Sequence, residues 1–125
     1  MLTKPLYSIS YHKPENFVRL TWLPGTEGMT DEDFKETLEV FAESALQHHA
    51  KRLMIDVREF KYRPSAEILA WRDKVTVPKY IRAGAKKIAW LWPGSMAKTM
   101  PGYTETRYEN RNCSTEHEAL EWVLA

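Results

Sequence analysis

A chain of 125 residues with 43% hydrophobic and 28% charged side chains has the size and composition of one globular domain built on a single core. Its one cysteine, Cys113, excludes an internal disulfide, and the apolar runs at 53–55 and 88–92 fall far short of the ~20 residues of a membrane-spanning helix. The net charge of +1 conceals an uneven distribution: seven acids oppose Lys35 alone over residues 26–50, whereas nine basic residues oppose three acids over residues 58–87. Residues 1–11 lack the continuous apolar stretch of a signal peptide, so a reducing cytoplasm is the expected location.

In chain order, Tyr7, Ile9 and Tyr11 alternate with small or polar residues, and residues 17–23 are rich in β-branched, aromatic and aliphatic types. The turn chemistry of Lys13-Pro14-Glu15-Asn16 joins them into an antiparallel hairpin, which Pro24-Gly25 stops. Thr30 followed by Asp31, Glu32 and Asp33 predicts a helix start, a hydroxyl cap with acids at the positive end of the dipole. That helix should run to about His49, with Phe34, Leu38, Phe41, Ala42, Ala45 and Leu46 on one face.

Residues 51–57 contain Leu53-Met54-Ile55 and end near Asp56, the pattern of a parallel strand covered on both sides and placed at the sheet centre. Ser65 predicts the N-cap of a second helix, which Pro78 should end or kink, with a further turn up to Gly84. Residues 87–92 form another apolar strand, closed by Pro93-Gly94. Residues 95–103 are read as one helical turn and a loop around Pro101-Gly102, and residues 104–111 as a last strand. Thr115 and Glu118 have capping-box spacing ahead of a short helix with Ala119, Trp122 and Val123 on its apolar side. The order β-β-α-β-α-β-loop-β-α predicts an α/β fold: a mixed sheet of about five strands, an N-terminal antiparallel hairpin, and helices packed mainly on one face.

This order resembles the SpoIIAA-like branch of the STAS superfamily, domains related to anti-sigma-factor antagonists and more loosely to the Sec14-type lipid-binding fold. The resemblance covers most of the chain, from about Phe17 to Leu124. It rests on Gly28-Met29-Thr30-Asp31-Glu32-Asp33-Phe34 before the first helix, Leu53-Met54-Ile55-Asp56-Val57-Arg58-Glu59-Phe60 at the central strand, and the tail Glu118-Ala119-Leu120-Glu121-Trp122-Val123. It implies a non-enzymatic regulatory or interaction domain that binds a protein partner or itself as a homodimer. It also implies a phosphoserine at the start of the helix after the central strand, where Ser65 stands. The Sec14-type relation implies instead a carrier or sensor of a small apolar or amphipathic ligand.

Ser65 therefore has two readings, a plain N-cap and a phosphate acceptor favoured by a helix N-terminus and by Arg63. Arg58, Lys61, Arg63, Arg72, Lys79, Arg82, Lys86 and Lys87 form either an anion-attracting surface or a solvated one scattered over several elements. A pI of 7.9 and the lack of any recognisable motif argue against nucleic acid. Cys113 and His117 stand four apart, too few ligands for zinc, and Cys113 reads as core; no metal or cofactor is expected.

His48 and His49 are adjacent, point in different directions from a helix, and do not make a chelating pair. Asp56 is the one acid at the end of a buried strand and lacks an evident catalytic partner, unless His12 or His117 meets it in space. Ile88, Trp90 and Trp92 share one sheet face, and Val18, Leu20 and Trp22 form another such row; these are ordinary core, or a second face hidden by a partner or ligand. In the ligand reading Trp71, Tyr80, Trp90, Trp92 and Met96 line a pocket rimmed by basic groups.

Overall fold

The computed structural model describes residues 5–100 and 107–125. Strands β1 (Tyr7–His12) and β2 (Phe17–Trp22) form the N-terminal hairpin, followed by helix α1 (Asp31–His48), strand β3 (Arg52–Asp56), helix α2 (Ala66–Ala83), strand β4 (Lys87–Leu91), strand β5 (Glu109–Cys113) and helix α3 (Glu116–Leu124). The strands lie side by side in chain order, β1 antiparallel to β2 and all later neighbours parallel. The sheet is thus mixed, with its hairpin at one edge, as the element order predicts.

Asn16 adopts the left-handed conformation that closes the hairpin, its N–H bonded to the Lys13 carbonyl at 3.1 Å. Its side-chain amide then does two further things. Nδ2 donates to the His48 carbonyl at 3.2 Å, at the end of α1, and Oδ1 accepts from the Lys51 N–H at 2.6 Å, just before β3. One turn residue therefore ties the hairpin to the chain reversal between α1 and β3.

Each helix starts where a hydroxyl meets unpaired N–H groups. The Thr30 hydroxyl accepts from Asp33 N–H and the Asp33 carboxylate accepts from Thr30 N–H, both at 3.1 Å. Ser65 Oγ accepts from Ile68 N–H at 3.2 Å, and Thr115 Oγ1 from Glu118 N–H at 3.1 Å. The Glu118 side chain reaches back one residue past the cap, to Ser114 N–H at 2.9 Å.

The strand register assigns the faces. Val18, Leu20, Trp22, Leu53, Ile55 and Ile88 share one face and pack with Phe34, Leu38, Phe41, Ala42 and Ala45 of α1 and with Ile68, Tyr80 and Ala83 of α2. Phe17, Met54, Ala89 and Cys113 occupy the opposite face and pack with Ala119 and Val123 of α3. Right-handed crossovers between strands laid down in one direction put α1 and α2 on the same side, and α3 folds back over the other.

Two expectations are revised. The helix does not end at Pro78, one of the two outcomes expected there, but continues to Ala83; Tyr80 and Ala83, beyond the proline, are buried against the core, which offsets the ~3 kcal/mol that an interior proline costs. The last strand occupies Glu109–Cys113 rather than 104–111, with residues 104–106 outside the described set. Its pairing with β4 is fixed by register, Lys87 opposite Glu109 through Leu91 opposite Cys113, which local propensity does not reveal. Of the two readings of the aromatic rows, ordinary core is the one the packing agrees with: both rows lie on the face that α1 and α2 cover, Trp90 and Trp92 only partly buried there. The expected turn within 95–103 is a short 3-10 segment at Met96–Lys98, and residues 101–103 lie outside the described set. Among the described residues no helix is long and apolar enough to cross a membrane.

Candidate functional site

Strands β2 to β5 are parallel, so their carboxyl ends share one edge of the sheet, and α1, α2 and α3 all begin there. In parallel α/β sheets this is the edge where ligands and partners meet exposed loops and helix N-termini.

The connection from β3 to α2 crosses this edge and is held from beneath. Thr26, fully buried, donates through its hydroxyl to the Glu59 carbonyl at 3.3 Å and accepts from Lys61 N–H at 2.8 Å. Val57 N–H bonds the Leu91 carbonyl at 2.9 Å. Phe60 and Tyr62 pack with Trp22 and Phe34 in one aromatic group, with ring centroids 4.9 to 6.0 Å apart. The Tyr62 hydroxyl donates to Asp31 at the start of α1; burial and that carboxylate push the phenol up to about 12. The loop is anchored on its inner side by these contacts, and Lys61, Arg63 and Ser65 are exposed on its outer side.

On the α3 side of the same edge lies an ion-pair cluster. Asp56, 2% exposed, accepts from Arg58 N–H and Nε at Oδ1, both at 3.1 Å, and from Arg58 Nη2 at 2.8 Å and Arg19 Nη2 at 2.9 Å at Oδ2. Arg19 Nη1 also reaches Glu116, in the first turn of α3, at 2.5 Å. Burial alone would raise the Asp56 carboxyl; the hydrogen bonds from Arg58 and Arg19 overcome it and hold the group below its ordinary range. Both oxygens are occupied by donors, two of the partners charged, so the carboxylate serves as a clamp joining β2, β3 and α3.

The candidate residues fall into separate places. Ser65 caps α2 and remains exposed, with Arg63 two residues before it. Arg58 is drawn into the Asp56 clamp. Of the basic set, Arg58, Lys61 and Arg63 stand at the carboxyl edge, while Lys87 opens β4 at the opposite edge, where its Nζ bonds the Trp122 carbonyl at 3.0 Å at the end of α3. Arg72 pairs with Asp73 at 3.0 Å and Lys79 with Glu43 at 2.7 Å on the helices. The eight cations do not form one surface.

The aromatic set also divides. Tyr80 is 4% exposed and sits against Phe41 and Tyr108 within the core. Trp90 and Trp92 are half-buried, and their indole N–H groups donate to Asn110 at 3.0 Å and Asn112 at 2.9 Å. Trp71 lies under Lys35 Nζ, 5.5 Å from its ring centre, between α1 and α2, and Met96 is 41% exposed in the 3-10 turn. Cys113 is fully buried, whereas the His117 side chain points to solvent and pairs with Glu121 at 3.0 Å, so the two do not converge. Neither His117 nor His12, which bonds Ser10 at 3.2 Å, hydrogen-bonds Asp56.

Sequence reasoning missed Thr26, Arg19 and Glu116. Each acts through a partner more than 30 positions away: strand register, with Thr21 opposite Asp56 and Arg19 opposite Met54, brings Arg19 to Asp56, and the packing of turn, loop and helix brings Thr26 and Glu116 to theirs. Comparison with protein-family models, with curated proteins and with solved structures gave no match to this chain.

Proposed function

We propose that this chain is a non-catalytic interaction domain that binds a protein partner at the carboxyl edge of its sheet, through the surface around Arg63 and Ser65. The observation that carries this reading is the β3–α2 connection. Its inner side is fixed by Thr26 and the Trp22, Phe34, Phe60 and Tyr62 rings, and its outer side offers exposed Lys61, Arg63 and Ser65. A pre-ordered loop of this kind binds with little ordering cost. The resemblance to anti-sigma-factor antagonists supports the same position, since their regulatory serine opens the corresponding helix. The saturated Asp56 carboxylate supports a structural rather than an acid–base role for that group.

The test is capture from cell extract by the immobilised chain, compared with Arg63→Glu and Ser65→Glu and with Lys86→Glu at the opposite edge. Loss of one captured protein with the first two, but not the third, at unchanged melting temperature supports the reading. Equal capture by all of them overturns it.

A second reading, binding of a small apolar ligand, is favoured by one observation. The indole N–H groups of Trp90 and Trp92 are occupied by Asn110 and Asn112, so the half-exposed remainder of each ring is apolar. Native mass spectrometry after incubation with a lipid extract separates the readings: bare polypeptide alone counts against the ligand.

A further inference from the structure

The sheet has two edges, and they differ. β5 carries charged Glu109 and Arg111, both exposed, which blunt an open edge against pairing. β1 reads Tyr-Ser-Ile-Ser-Tyr-His, without a formal charge at neutral pH when His12 is uncharged, and among the described residues no strand pairs with its outer side.

The hydrogen-bond phase of β1 follows from one contact. Leu23 N–H bonds the Leu6 carbonyl at 3.0 Å, so Leu6 and Leu23 form a hydrogen-bonded pair. In an antiparallel ladder such pairs alternate with open ones. Ser8, Ser10 and His12 therefore turn their backbone groups to β2, opposite Thr21, Arg19 and Phe17. Tyr7, Ile9 and Tyr11 turn theirs outward, three N–H and three C=O groups along one edge.

Residues 7–11 read the same in both directions about Ile9: Tyr7-Ser8-Ile9-Ser10-Tyr11. Antiparallel pairing with an identical strand about a two-fold axis at Ile9 sets Tyr7 opposite Tyr11, Ile9 opposite Ile9 and Tyr11 opposite Tyr7. All six outward groups are then bonded. On the α1 face, the half-buried Tyr7, Ile9 and Tyr11 of both copies adjoin in one apolar row; on the other face serine meets serine. Tyr11 is held for this contact by stacking on His48 of α1, ring centres 3.7 Å apart. Pro5 and Pro14 bound the strand on either side and limit the pairing to this short segment.

We propose that β1 is a self-association edge, and that two copies of this chain join through Tyr7–Tyr11 about Ile9 into one ten-stranded sheet. This goes beyond the partner reading and does not depend on it, since the carboxyl edge is left open by the pairing.

The experiment is sedimentation equilibrium of the full chain over a concentration series, wild type against Ile9→Pro and Ile9→Lys. A mass rising towards twice 14.7 kDa is expected for wild type. Ile9→Pro removes an N–H that points away from β2, so the monomer keeps its own ladder, while the dimer dissociation constant should rise about tenfold or more from the loss of two central hydrogen bonds. Ile9→Cys, read on non-reducing gels, is the independent arm: hydrogen-bonded antiparallel partners sit about 5.5 Å apart at Cα, within disulfide reach, and the buried Cys113 does not compete. Ser8→Cys, whose counterpart is Ser10, should cross-link far less. A wild-type chain that stays monomeric up to about 1 mM, or a dimer unaffected by Ile9→Pro and Ile9→Lys and not cross-linked by Ile9→Cys, overturns the proposal.

Discussion

Arg19 on β2 and Asp56 on β3 are joined at 2.9 Å across neighbouring parallel strands, and the same guanidinium reaches Glu116 of α3 at 2.5 Å. One side chain thus links two strands to the helix on the far face, with Arg58 closing the carboxylate from the other side.

Replacing Asp56 by asparagine keeps the shape and removes the charge, leaving two guanidinium groups facing a neutral amide. Unfolding in urea should show a loss of about 3 kcal/mol, the lower end of the range for a broken buried pair, because Arg58 is 41% exposed and can turn to water. A loss below about 1 kcal/mol would mean that the cluster adds nothing beyond an ordinary surface pair.

The same group sets a pH dependence. Its folded pKa lies below its unfolded value, despite burial, because Arg58 and Arg19 donate to the carboxylate. Its contribution is therefore present in full above about pH 4, the unfolded carboxyl value, and is lost as pH falls through the folded value. The stability difference between wild type and Asp56→Asn should be flat from neutral pH down to about pH 5 and shrink below about pH 4. A difference that grew on acidification would reverse the assigned sign.

How much of this was legible beforehand depended on whether the signal was local. Thr30, Ser65 and Thr115 announce their helices because a cap acts within three residues, and all three bonds are present. The hairpin follows from Lys13-Pro14-Glu15-Asn16 for the same reason. By contrast, β5 is Glu-Asn-Arg-Asn-Cys, with no strand-like alternation of apolar and polar residues; its place is decided by pairing to β4. The candidate site was half visible. Ser65 and Arg63 could be named from the cap and the charge, but Thr26 and Arg19 carry no local mark, and the division of the aromatic residues between core and surface needed the register of the whole sheet.

Thr26 offers a test of the rigid loop. Thr26→Ala removes one acceptor and one donor from a fully buried position, leaving Lys61 N–H and the Glu59 carbonyl without that partner. A loss of about 1–3 kcal/mol is expected, with faster limited proteolysis between residues 57 and 65, and Thr26→Ser should restore most of both. Unchanged cleavage would mean that the aromatic group alone holds the loop.

Cys113 is buried on the α3 face beside Met54 and Ala119, and burial, with Glu118 nearby, pushes its thiol up to about 11. Both effects suppress the thiolate at neutral pH, and the thiolate is the reactive form. Labelling by a thiol reagent at pH 8 should be negligible in the native protein and rapid in urea. Its native rate should track opening of α3, so Val123→Ala, which thins the packing over Cys113, should accelerate it.

Pro78 interrupts the hydrogen-bond ladder of α2 without ending the helix, because the Lys74 carbonyl has no N–H to receive from position 78. The proline is exposed and so contributes no core packing that alanine would forfeit. Pro78→Ala should restore the bond and the helix propensity, worth up to about 3 kcal/mol, against about 0.4–1 kcal/mol lost because the unfolded chain becomes more flexible. A net gain of about 1–2 kcal/mol in urea unfolding is expected. The Thr76 hydroxyl bonds the Arg72 carbonyl at 2.7 Å one turn earlier, an arrangement that bends helices. If Pro78→Ala brought no gain, the backbone at this turn would be set by the packing of Tyr80 and Ala83 rather than by the proline, and Thr76→Val should then shift stability where the proline replacement had not.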